Sequence, residues 1–199
     1  METKEDIKFI DSIASALRKA AVQLEEFQVQ ATLGKAEAYD TYEDVKKKFK
    51  LQLHEGKYQI KKGKEKFEDL EGKFDLLRVQ LELGKAETVE EFKAQKKKLL
   101  LALHEIEVKI KTNETLKRMY AFLLVDIEIF KVQLEILEEN IDMGKAKAEE
   151  SFQRAKKEFN EFVERFKNKY NKKEESKWDH FQDEISEAFS HFKKAFVTA

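Results

Sequence analysis

A Gly-Lys-Ala tripeptide occurs three times in the chain, at Gly34-Lys35-Ala36, Gly84-Lys85-Ala86 and Gly144-Lys145-Ala146. Self-similarity of this kind constrains a fold strongly, because each copy is expected to build the same structural unit. Around the first two copies, about half the positions from 29 to 55 match those from 79 to 105, including a lysine triplet and a Leu-His-Glu. Ahead of each glycine the apolar residues keep a helical spacing of three and four. They are Ile10, Ile13, Leu17, Ala20, Leu24, Phe27 and Ala31 in the first copy; Phe67, Leu70, Phe74, Leu77 and Leu81 in the second; and Ile127, Phe130, Leu134, Leu137 and Ile141 in the third.

Past each glycine the phase of this seam changes. The step from Gly34 through Ala38 to Tyr42 is four and four, continuing to Val45 and Phe49, and Gly84, Thr88 and Phe92 repeat it. Inside one continuous helix such a step is a stutter, which locally unwinds a left-handed supercoil. Three helices tolerate a shared stutter if they meet it at one height. The midpoints between successive glycines, residues 59 and 114, both look like turns. The first lies between Gly56 and Gly63; the second holds Thr112 and Asn113, either of which suits a helix N-cap. The expected fold is therefore all-α: an elongated antiparallel, coiled-coil-like three-helix bundle over residues 1–171. Its helices span about 3–56, 62–111 and 114–171, each ~75 Å long at 1.5 Å per residue. Gly34, Gly84 and Gly144 would form one packing layer.

A short fourth helix over 176–197, capped by Ser176 and Asp179, is expected to pack on the bundle end. Its apolar face carries Trp178, Phe181, Ile185, Phe189, Phe192 and Phe196. A second apolar stripe, Phe122, Val125, Ile129, Val132 and Ile136, runs beside the seam of the third helix. It reads either as a wider buried face or as a surface for a partner, and Trp178, Phe181, Phe189 and Phe192 join Phe122, Val125, Ile129 and Val132 as the candidate interaction surface.

Composition narrows the chemistry. Charged residues make up 40% of the 199, Pro and Cys are absent, and 16 Phe keep the chain too apolar for disorder. The balance of 39 basic and 40 acidic residues leaves no global field for a nucleic-acid backbone, so no nucleic-acid partner is expected. Without Cys there is no thiolate nucleophile or metal ligand. The first residues lack the apolar core of a secretory signal, and no uncharged run approaches the ~20 residues of a membrane span, so the expected location is cytoplasmic.

No constellation of catalytic residues emerges. His54 and His104 each sit in Leu-His-Glu, and the folded-back arrangement would place them at opposite ends; His180 and His191 lie about three turns apart on the last helix. The Glu-x-x-His pairs of bundle di-iron sites are missing, as are serine-nucleophile and complete phosphate-loop motifs. The lysine clusters Lys46-Lys47-Lys48, Lys96-Lys97-Lys98 and Lys156-Lys157 read as solvated faces bridged to neighbouring helices. Neither an enzyme nor a metal or cofactor site is expected.

The segment Val79-Gln80-Leu81-Glu82-Leu83-Gly84-Lys85-Ala86-Glu87, followed by Phe92 and Lys96-Lys97-Lys98, resembles a family of small bacterial coiled-coil proteins described as stress-response proteins. The tail from Trp178 through Ala188-Phe189 to Phe196 is similar to that family's closing amphipathic segment. The third repeat departs from the pattern, with Lys147 where Glu37 and Glu87 stand. The resemblance implies a non-enzymatic role in stress, with no catalytic residues to carry over. The functional expectation is thus a structural or interaction protein, self-associating or binding a protein partner. The alternative is a peripheral bundle that opens its Phe-rich faces onto a lipid or membrane surface.

Overall fold

The computed structural model describes residues 4–31, 35–62, 68–113, 116 and 119–142, with isolated helical positions at 157 and 161. The expected third helix beyond 142, the helix over 176–197, Gly34, Gly144, Trp178, Phe181, Phe189 and Phe192 lie outside the described residues. Within them the chain is all-α: five helices pack together and no strand occurs. They are α1 (Lys4–Ala31), α2 (Lys35–Lys62), α3 (Glu68–Leu81), α4 (Val89–Lys111) and α5 (Ala121–Asp142).

The expected helix over 62–111 is instead two helices. After Leu81 the chain leaves the helix, runs in irregular conformation through Gly84 and Lys85, and restarts at Thr88. Local chemistry explains the restart. Thr88 has extended backbone (φ −124°, ψ 161°), its side chain accepts from the Glu91 N–H at 3.2 Å, and the Glu91 carboxylate accepts in return from the Thr88 N–H at 3.2 Å. That reciprocal capping box satisfies two donors that a helix start would otherwise leave bare. Glu90 and Glu91 in the first turn and Lys109 and Lys111 in the last suit the helix dipole. The first repeat also folds back on itself, since Phe27 of α1 lines one cleft with Val45 and Phe49 of α2, residues that a continuous helix would hold far apart. The phase change past the glycine is therefore the passage from one helix to the next, with no stutter required.

The expected turn at 59 is also displaced, because α2 continues through Gly56 to Lys62. A glycine inside a helix costs only ~1 kcal/mol, which neighbouring turns readily absorb. The turn near 113 is where the capping chemistry put it. Thr112 ends α4, and the Asn113 side-chain oxygen accepts from the Leu116 N–H at 3.1 Å. Leu116, Tyr120 and Leu124 then follow one another by helical hydrogen bonds.

Side-chain pairs give the topology. Lys73 meets Glu105 and Asp69 meets Lys109, so α3 and α4 are antiparallel. Asp40 meets Lys85, Lys50 meets Glu82 and His54 lines a cleft with Arg78, so α2 runs antiparallel to α3, and Phe49 stacks on Phe130 while Gln52 bonds Asp126, making α2 and α5 antiparallel. With α4 also against α5, helices α2 to α5 close a ring around one core, and α1 lies along α5 and α2. The seam expected from sequence lines that core: Ile13, Leu17, Leu24 and Phe27, then Leu70, Phe74, Leu77 and Leu81, then Ile127, Phe130, Leu134, Leu137 and Ile141 are all buried.

Helix α5 is buried on several sides, as expected of an element apolar almost all round. Val125, Ile129, Val132 and Ile136 are core residues, and only Phe122 of that stripe reaches solvent, at 44% exposure with its ring edge-on to Phe9.

Candidate functional site

The unusual chemistry of this bundle is its buried charge, and it follows the repeat. Lys46 and Lys96 each open a lysine triplet and stand at the same offset from Gly34 and Gly84. Both were expected on a solvated face. Both are buried instead, at 1% and 6% exposure, while Lys47, Lys48, Lys97 and Lys98 are exposed as expected. The equivalent Lys156 lies outside the described residues.

The Lys46 side chain runs from α2 under the turn that follows α3. Its ammonium donates to the Leu83 carbonyl at 2.9 Å, lies 2.7 Å from a Glu43 carboxylate oxygen and sits 4.6 Å from the centre of the Tyr42 ring. Beside it the Tyr42 hydroxyl donates to the Gln95 side-chain oxygen at 3.0 Å, and the Gln95 amide donates to the Gly84 carbonyl at 2.8 Å. Tyr42 also packs edge-on against Phe92, with centroids 5.0 Å apart, and burial drives its phenol pKa upward. Two carbonyls of the irregular turn beyond α3, which belong to no helix ladder, are thus satisfied by side chains of α2 and α4. Lys85 with Asp40 at 2.6 Å and Lys50 with Glu82 at 2.5 Å pin the two flanks of the turn.

Gly84 is exposed, its φ lies outside the left-handed region, and a Cβ there would meet nothing within 4 Å. The glycine occupies a clamped turn with open space around it, and no close approach of helices occurs at that position.

Lys96 performs the equivalent task between α4 and α5. Its ammonium lies 2.7 Å from Glu135 and also contacts the Glu138 carboxylate. Farther along the same contact, Lys131 of α5 lies 2.6 Å from each carboxylate oxygen of Glu107 and 3.1 Å from Glu128. Glu107 and Glu128 are both buried, and burial is the largest cause raising the Glu128 carboxyl to about 7, with the nearby Glu107 adding to it and Lys131 opposing it. Each ammonium faces two carboxylates. This seam holds α4 in one register on α5, because an axial slip would strand buried charge.

Two surface clefts accompany the seam. One, of about 300 Å³, lies where α1, α2 and α5 meet and includes Gln23, Glu26, Lys48, Gln52, Asp126 and Gln133. The other, of about 510 Å³, runs between α2 and α3 and is lined by Lys47, Lys50, Leu51, His54, Arg78 and Glu82. His54 and His104 are both exposed; the pairing of α2 with α3 and of α3 with α4 places them on helices that flank α3, away from opposite ends. Among the described residues no group of three or more acidic or histidine side chains is arranged to hold a metal ion. No described helix is long and apolar enough to cross a membrane.

The buried lysines carried one signal in the sequence: the same residue at the same offset in each copy. The capping box was legible as Thr88-Val89-Glu90-Glu91. Comparison with protein-family models, curated proteins and solved structures finds no match to this chain.

Proposed function

We propose that the chain is a non-enzymatic structural or interaction protein, a helical bundle that presents helix faces to a protein partner. The observation that carries this reading is how its polar groups are used. The buried ammonium groups of Lys46 and Lys96 are each engaged by a carboxylate, and both bind an acceptor on another helix or its following turn. Such groups fix the positions of helices. Large apolar side chains, in contrast, stand in solvent on α2, α3 and α4. A role in stress is what the likeness of Val79 to Lys98 to the coiled-coil stress family adds to this reading.

The test is mass and partition. Light scattering and flotation with neutral and anionic phospholipid vesicles should find the protein in a defined soluble assembly that stays out of the vesicle fraction. Stable flotation would replace this reading with that of a lipid-surface protein.

A further inference from the structure

We infer that the outward face of the α3–α4 hairpin is a self-association surface that receives the same face of a second copy, α3 of one lying on α4 of the other. The inference deepens the interaction reading and rests on it. Leu76 and Val79 on α3 are 60% and 57% exposed, and Leu101 and Val108 on α4 are 61% and 45% exposed. The ion pairs Lys73–Glu105 and Asp69–Lys109 set a register that brings Leu76 level with Leu101, so the two form one patch across the hairpin. Isolated surface leucines need no explanation. These residues are spaced as a seam: Gly72, Leu76 and Val79 follow steps of four and three, and Ala94, Leu101 and Val108 recur every seven.

With Lys97, Lys98, His104 and Glu105 standing between Ala94, Leu101 and Val108, the outer repeat of α4 is a thin apolar line flanked by charge, and a helix laid on it meets both. The inner face of α4 already has its own, in Phe92, Leu99, Leu103, Ile106 and Ile110. The outer repeat is therefore a second one, and nothing within the described bundle occupies it.

Charge indicates that the occupant is another copy in the α3-on-α4 orientation. Helix α3 carries more acid than base, with Glu71 and Asp75 among its acids, and α4 carries more base than acid, with exposed Lys97 and Lys98. A two-fold axis through the patch sets each helix on the one of opposite sign, and such an interface is self-complementary. From the helix lengths and a spacing of 8 to 10 Å, the face offers on the order of 600 Å² per copy, at the low end for specific interfaces. An interface of that size belongs with the weak and transient ones, so the test spans micromolar protein concentrations.

Sedimentation equilibrium across that range should give the mass of a dimer for the natural chain. The Leu76→Glu, Leu101→Glu double variant should give the mass of a monomer with unchanged helical circular dichroism, and Val22→Glu should remain a dimer. Because the chain has no Cys, Leu76→Cys protein mixed in equal amount with Leu101→Cys protein under mild oxidation should yield almost only the mixed disulfide, well above the roughly half of the product that random pairing of thiols gives. A natural chain that stays monomeric, a double variant that keeps the dimer mass, or a mixed disulfide at or below the roughly half of the product that random pairing gives would overturn the inference. A monomer that also stays off vesicles removes self-association alone, whereas vesicle partition removes the interaction reading beneath it.

Discussion

The Lys96 ammonium of α4 lies 2.7 Å from the Glu135 carboxylate of α5, with both side chains largely withdrawn from water. The pair spans two repeats and connects residues that no local pattern relates. Removing one partner of a buried ion pair typically costs about 3–5 kcal/mol, since the other is left uncompensated, whereas an apolar pair of similar volume is often neutral. Lys96→Met should therefore destabilise the bundle by about that much in urea unfolding. Adding Glu135→Leu should recover part of the loss, with the remainder belonging to Glu138.

Glu128 makes the bundle sensitive to pH. Its folded carboxyl titrates at about 7 against an ordinary value of 4.5. A carboxyl raised by folding disfavours the folded state increasingly as pH rises from 4.5, and the penalty is complete above about 7, on the order of 3 kcal/mol. Glu128→Gln should thus be more stable than the natural chain at pH 8, with the difference shrinking to near zero by pH 4.5. Thermal melts of both proteins across that range should show it, and parallel curves would contradict the assignment.

The same substitution at two tyrosines should act in opposite directions. Tyr42 donates to Gln95, so Tyr42→Phe should cost about 1 kcal/mol by breaking the relay to the Gly84 carbonyl. Tyr120 packs its ring near Phe74, and its buried hydroxyl has no hydrogen-bond partner among the described residues. Tyr120→Phe removes that desolvated group and should be neutral or stabilising by about 1 kcal/mol. Denaturant midpoints of the two variants decide the matter.

Glycine substitutions separate a clamped turn from a packing layer. Gly72 is exposed within α3 and a Cβ there would meet nothing within 4 Å, so Gly72→Ala should stabilise by about 1 kcal/mol. Gly84→Ala should be tolerated, with a melting temperature equal to or slightly above that of the natural chain, because its backbone is not left-handed and the space is open. A layer of closely approaching helices at Gly84 would instead make that alanine clearly destabilising.

The buried columns were readable from the chain because each obeys a local period. Leu70, Phe74, Leu77 and Leu81 lie on one side of any helix built from those residues, whatever surrounds it, and all four are buried. The turn at Asn113 was readable for the same reason, since a side chain that accepts from Leu116 three residues on needs no tertiary partner. The break at Gly84 had a local mark in Thr88 and Glu91. By position Thr88 fits the seam, yet its hydroxyl serves as a cap.

Periodicity and capping are short-range, so the order of residues alone makes the chain helical, divides it into related units and sets which face of each turns inward. Long-range packing settles whether the glycine between two periodic stretches bends a helix or ends one, since a glycine shifts that balance by only ~1 kcal/mol. It also decided that Lys46 and Lys96 go inside. A lysine is buried only where acceptors await it, and those on Glu135, Glu138 and the Leu83 carbonyl come from other parts of the chain, brought into range by the packing of α2, α4 and α5.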